Sequence, residues 1–447
     1  MKIVIAGAGA VGTHLSKLLS RDRQDCVLID EDPERLGDLD SRYDIMTIQG
    51  RTTSINTMKE AGVENADLFV GVTPDESRNM NACMIAHALG AKKTVARIDN
   101  FEYLDPARKE LFERMGINSL IFPEVLAAID ITNGLKMSWV RQRWDVHGGA
   151  LIMLGIKLRE SCLILNRPLK EVCGTEEPYH VVAIKRGNET IIPGGNDFLQ
   201  LYDMAYFMTT REYIPYVRRM VGKEDYTDVS QVMIMGGGKC ALRTAHTMPE
   251  YMKTKIIEID PQRCEKLNDL LPGRGELVIN GDARDTSLLL EEGIRHTQAF
   301  VALTGNSETN ILACLAAKRL GVRKTVAVVE NVDYIDMAES LDIGTIINKK
   351  AIAASRIYEM MLEGCATNLR FLMQARADVA EFTAQKNSPI TKKKIFELSL
   401  PKGCTIGGLV RNGEGMLVTG GTQVQQDDIV VVFCHNTEVK RIEKLFN

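Results

Sequence analysis

The sequence predicts an α/β protein built as two tandem Rossmann-like doubly wound parallel sheets, each followed by a small α+β domain. Three observations carry that expectation. A glycine-rich turn, Gly7-Ala8-Gly9-Ala10-Val11-Gly12, directly follows an apolar strand and opens a helical pattern. A similar turn returns at Gly236-Gly237-Gly238-Lys239-Cys240-Ala241, 229 residues after the first. Short apolar runs alternate with helical patterns, as parallel βαβ units require.

The repeat extends well past the glycine turns. Asp32-Pro33-Glu34-Arg35 returns as Asp260-Pro261-Gln262-Arg263, and Gly50-Arg51 as Gly281-Asp282. The segment from Val72-Thr73 to Cys83 returns as Leu303-Thr304 to Cys314. A later stretch, Arg186-Gly187 to Gly195, resembles Arg411-Asn412 to Gly421, and each precedes an apolar strand, Met204 to Met208 and Ile429 to Phe433. Four domains follow: nucleotide-type domains at 1–135 and 229–360, and small α+β domains at 140–222 and 370–447.

In the first half, strands are predicted at Lys2–Ala6, Val27–Ile29, Ile45–Ile48, Leu68–Val72 and Thr94–Ile98, with helices starting near Val11, Pro33, Ser54 and Glu76. Gly90 and Gly321 stand where the long fourth helix of each half should end in a left-handed cap.

Bulk composition narrows the partners. The 55 Lys and Arg against 59 Asp and Glu give a net charge of −4, so no electrostatic argument favours nucleic acid. The ten cysteines fall singly, without C-x-x-C pairs or metal-ligand spacing, which suits reduced thiols. No secretory signal or 18-residue apolar run is present, so a cytoplasmic protein with at most a peripheral membrane role is expected.

The glycine turns point to nucleotide phosphates. Gly7 permits the tight turn, Gly9 lets the backbone approach a pyrophosphate, and Gly12 lets strand and helix pack closely. Ala8, Ala10 and Val11 complete the loop, whose free N–H groups lie at the positive end of the helix dipole. Gly236, Gly238, Lys239, Cys240 and Ala241 form the second loop. Its third glycine is replaced by Ala241, and Lys239 is either a cation for a terminal phosphate or a solvated lysine.

Asp30 ends the second strand and Glu258 is its counterpart. A carboxylate there accepts ribose hydroxyls and repels a 2′-phosphate, so NAD (NAD+ or NADH) is favoured over NADP, with ATP or ADP as alternative ligands. Arg97 ends the fifth strand where the other half has Val328 or Val329, so the first site is expected to neutralise more ligand charge. Asp282 is either an adenosine contact or an exposed turn residue, and Arg51 occupies that position in the first half. Thr73 and Thr304 end the fourth strands at the ligand crevice, or merely cap the next helix. Asn79 and Asn310 read as buried structural amides.

Catalysis finds no support in the residues. His147 and His180 are isolated, and no Ser-His-Asp elbow or H-E-x-x-H occurs. Tyr251 and Lys255 have a Tyr-x-x-x-Lys spacing, but Lys255 enters the second strand of the second repeat rather than a helix after the fifth. No catalytic residue and no metal ligand are therefore expected. An NAD-dependent oxidoreductase of unusual layout is the alternative.

Taken together, these motifs resemble the TrkA family, cytosolic nucleotide-binding subunits of bacterial Trk potassium-uptake systems, with two RCK-type domain pairs per chain. The resemblance covers essentially the whole length. Arg51, Ala241 and the end of the first small domain around Tyr202-Asp203 depart from the pattern. It implies a homotetrameric ring at the inner face of the cell membrane, docked on a membrane-embedded potassium channel-like subunit and binding NAD(H) or adenine nucleotides; a regulatory subunit of another cation transporter is the alternative within this resemblance.

Overall fold

A computed structural model describes the chain except residues 22, 23, 38, 40–42, 44, 175, 176, 188, 272, 361–365, 373–376, 399, 402, 436–438 and 447. The first half begins with strands β1 (Lys2–Ala6), β2 (Asp25–Asp30), β3 (Met46–Gln49), β4 (Leu68–Gly71), β5 (Thr94–Arg97) and β6 (Ser119–Ile121). They form one parallel sheet in the order β3-β2-β1-β4-β5-β6. Its strands are apolar on both faces: Ile3, Val4 and Ile5 are fully buried, as are Phe69 and Val70. That pattern requires helices on both sides. The order reverses between β1 and β4, which opens a crevice at the carboxyl ends of the strands.

The first small domain contains β7 (Gln142–Val146), β8 (Leu151–Lys157), β9 (Tyr179–Arg186), β10 (Glu189–Ile191) and β11 (Met204–Thr209). A second parallel sheet follows, of β12 (Gln231–Met235), β13 (Lys253–Glu258), β14 (Leu277–Asn280), β15 (Ala299–Ala302), β16 (Lys324–Val328) and β17 (Thr345–Ile347). Its order, β14-β13-β12-β15-β16-β17, repeats the first. The last sheet holds β18 (Ala366–Leu372), β19 (Ala377–Thr383), β20 (Cys404–Arg411), β21 (Glu414–Leu417) and β22 (Ile429–His435). The fold class is thus the one the sequence predicts, with β6 and β17 as additional edge strands.

The small sheets repeat one another strand for strand. The first runs β10-β9-β11-β8-β7 and the second, read from its other edge, β21-β20-β22-β19-β18. Arg186 reaches both carboxylate oxygens of Asp203 at 3.0 and 2.8 Å, and Arg411 does the same to Asp428 at 2.9 and 2.7 Å. Both aspartates are 1% exposed, so each bidentate pair fixes its turn. Tyr202 and Asp427, just before them, share a φ of +67°. The stretch around Tyr202-Asp203 is therefore the same turn as in the second copy, and the apparent irregularity lies in side-chain identity alone.

Chain compactness divides the protein differently from chain order. Met1–Leu126 forms one unit with the helix Lys349–Glu359, whose partner there is the helix Ala10–Arg21. Lys349 also pairs with Glu124 at 3.7 Å. The second unit holds both small sheets and the second parallel sheet. Within it, the small sheets share one core, in which Val182, Met153 and Tyr206 join Val379, Val431 and Phe433. A Cβ on Gly407 would stand 2.8 Å from Phe433 and 3.0 Å from Val182, so glycine there sets how closely the sheets approach. Among the described residues no helix is long and apolar enough to cross a membrane.

Candidate functional site

Each glycine loop can be divided into glycines the fold needs and one it does not. Gly7 has a φ of +116°, donates to Ile29 O at 2.8 Å, and leaves only 2.9 Å between a built Cβ and Thr73 N. A Cβ on Gly12 would lie 1.8 Å from Gly7 O. Both are required for the chain to turn and for helix and strand to pack. In the second loop Gly236 repeats Gly7, with φ +95° and its N–H on Ile257 O at 2.9 Å.

The remaining glycines trade places. Ala241 is tolerated at the third position, whereas Gly237 replaces Ala8 because a Cβ there would meet Leu267 at 2.5 Å and Glu258 at 3.0 Å.

Gly9 and Gly238 are different. Neither has a left-handed φ, and a Cβ on either would meet nothing within 4 Å. Gly238 has φ −72° and ψ 179°, ordinary extended backbone, and provides no side-chain cap to the helix Lys239–Thr247. Neither backbone strain nor packing within the chain explains glycine at these positions. The first N–H groups of a helix lack intrahelical partners, and a glycine in front of them leaves them accessible. The cradle fits a nucleotide phosphate. Ala10 and Lys239 stand exposed at the equivalent next position, and Val11 and Cys240 are buried behind them.

Asp30 and Glu258 do more than end their strands. Asp30 accepts from Ala8 N at 2.7 Å and from Asp32 N at 2.9 Å; Glu258 accepts from Gly237 N at 2.5 Å and Asp260 N at 2.9 Å. Each carboxylate therefore braces the glycine loop against the Asp-Pro turn, with lone pairs still available to a ribose. Sequence reasoning passed over Arg35, 3.9 Å from the Asp30 carboxylate, and Arg263, 3.6 Å from that of Glu258. The signal was present in the repeated Asp-Pro-x-Arg string.

Thr73 and Thr304 face their loops, but their hydroxyls are engaged. Thr73 donates through both N–H and Oγ1 to Asn79 Oδ1, at 2.8 and 2.6 Å, and Asn79 Nδ2 donates to Thr73 O and Arg97 O, both at 2.9 Å. Asn310 makes the same four bonds, to Thr304 and to Val328 O. The structural-amide reading of both asparagines is correct, and Val328 is the counterpart of Arg97. Replacing Asn79 by Ala orphans a buried N–H and two carbonyls. It should cost about 3 kcal/mol in urea unfolding of the full chain; a loss below about 1 kcal/mol would contradict this account.

Charge differs between the two crevices. Among the described residues the half-buried guanidinium of Arg97 and the exposed one of Arg51 have no hydrogen-bond or ion-pair partner, and Arg51 sits next to Gly50, whose N–H bonds Asp30 O at 2.9 Å. On the other side Asp282 is clamped by Arg284 at 2.6 to 3.0 Å, and that hydrogen bonding holds its carboxyl below the usual range. The pair closes the turn on itself. Across the first crevice Glu31 pairs with Arg78 at 3.1 Å, a bridge whose arginine becomes Thr309 in the repeat. Lys255 is drawn to Glu292 at 3.1 Å.

Comparison with known proteins accords with this geometry. Residues 3–123 and 232–349 match the model of the TrkA-N domain, and 379–447 that of the TrkA-C domain. Trk system potassium uptake protein TrkA of Haemophilus influenzae is 31% identical over 457 residues, covering 100% of this chain and 98% of that protein. The protein of the same name from Halomonas elongata is 30% identical over 460 residues, again covering 100% and 98%. Among solved structures, the GsuK channel bound to NAD superposes with a TM-score of 0.59 at 14% identity, covering 100% of this chain and 78% of that one, a likeness of fold.

Proposed function

The chain belongs to the TrkA family of potassium-uptake proteins, and from that premise we propose that it is a nucleotide-sensing regulatory subunit rather than an enzyme. It binds NAD(H), or an adenine nucleotide such as ATP or ADP, on the two glycine loops and passes occupancy to a membrane-embedded Trk-type potassium transporter. Its working place is the cytoplasmic face of the cell membrane, as a ring of four chains. The domains 1–135, 140–222, 229–360 and 370–447 are its functional parts.

The observation that carries this reading is the pair Gly9 and Gly238, glycines that nothing inside the chain requires. The helix N-termini behind them bind the phosphates, Asp30 and Glu258 orient the ribose, and Thr73 and Thr304 edge the crevice. Arg97 and Arg51 give the first site its surplus of positive charge; Lys239 and Asp282 face the second. Regulation then needs only that the nucleotide bind one ring geometry better than another, with a coupling of about 1–3 kcal/mol.

Native mass spectrometry of the full chain with NAD, NADH, ADP and ATP tests the proposal. Two nucleotides per chain on a tetramer are expected, without turnover of NADH. A folded protein that takes up none of the four would refute it.

A further inference from the structure

Away from both glycine loops, a cavity of about 140 Å³ opens where the first small domain meets the second parallel sheet. Arg141, Lys157 and Lys185 line one wall; Asp336, Glu339 and Asp342 line the other. Two of the carboxylates are already taken. Asp342 receives Arg141 at 2.8 Å, Arg159 at 2.5 Å and Lys318 at 3.1 Å, and Lys185 is paired with Glu339.

Lys157 is left over. Half-buried on the cavity wall, its ammonium makes no hydrogen bond or ion pair among the described residues. Three cations and three carboxylates line the cavity, and Arg159 and Lys318, outside the lining, bring the cations around these carboxylates to five. A half-buried ammonium without a partner is unfavourable, so the surplus calls for an anion.

Size limits what that anion is. Ligand pockets for drug-sized molecules run to about 300–1,000 Å³, so this one admits a compact group only. We propose that the cavity is a second, non-nucleotide anion site, which takes orthophosphate or the phosphoryl group of a small phosphomonoester against Lys157 and Arg141. Arg141 and Lys157 come from the first small domain and its approach, while Glu339 and Asp342 come from the second nucleotide domain, so an anion here braces that seam.

The test uses isothermal titration and thermal unfolding of the full chain with inorganic phosphate and, separately, glycerol 3-phosphate, which carries no adenine for the glycine loops. Saturable binding of at least one, with a raised unfolding midpoint, is expected. Lys157→Gln should weaken it about tenfold or more and Lys157→Glu abolish it, both leaving NAD binding intact. Binding of phosphate alone identifies a free ion as the ligand; preference for the ester identifies a phosphoryl headgroup. No saturable binding of either, or unchanged binding in folded Lys157→Glu, overturns the proposal whatever becomes of the nucleotide loops.

Discussion

Gly9→Val and Gly238→Val should each leave a folded protein that has lost one nucleotide site, and the double variant should bind no adenine nucleotide at all. A side chain at either position enters open space, so the fold has little reason to object. Gly238→Val gives up a tolerable helix cap and should cost about 1 kcal/mol. The binding loss is larger. Hydrogen bonds from the helix N–H groups to a charged phosphate contribute roughly 1.5–3 kcal/mol each, so blocking two weakens affinity by about 10²–10⁴-fold.

Gly12→Val is the contrasting control, because its Cβ would lie 1.8 Å from Gly7 O and the loop itself must break. Titration of NAD and ATP into each variant, beside circular dichroism, separates the two kinds of glycine. Wild-type affinity in the double variant would remove the reason for assigning phosphates to these loops.

The legibility of these sites in the sequence follows from their locality. A strand, a glycine turn and a helix start occupy about a dozen consecutive residues, so Gly7 to Gly12 and Gly236 to Ala241 announce themselves. The register of Asp30 with Glu258 could be read because each sits two residues before an Asp-Pro pair. Hidden features depend on contacts between distant segments. No pattern within Lys349–Glu359 tells which helix it will pack against, and it groups with Met1–Leu126 beside Ala10–Arg21.

Likewise Gly237 looks like an extra glycine until Leu267 and Glu258 are seen to crowd it. Asp282 invites a ligand until Arg284, two residues on, is found to clamp it. The turn at Tyr202-Asp203 reads as irregular because its side chains differ, yet φ at Tyr202 matches φ at Asp427. Repeats preserve backbone geometry longer than they preserve side chains.

Asp342→Asn should strongly destabilise the second compact unit. Asp342 holds three cations, of which the Arg141 side chain is only 14% exposed. Removing one partner of a buried pair costs roughly 3–5 kcal/mol; with Asp342 itself 33% exposed, about 3 kcal/mol is expected. Asparagine is the instructive replacement because Asp342 has a φ of +54°, where Asn is well tolerated, so backbone strain stays constant and only the charge is lost.

The pH dependence gives the signature. Burial raises the Asp342 carboxyl pKa, but Arg141, Lys318 and Arg159 together outweigh burial and hold it below the ordinary value. Its contribution is therefore complete above the unfolded pKa of about 3.9 and disappears as pH falls through the lower folded value. The gap in urea midpoint between the wild type and Asp342→Asn should be full at pH 7 and close in acid below about pH 4. A gap that persists unchanged into acid would mean that the asparagine acts through packing, and that the three cations are not held by the carboxylate charge.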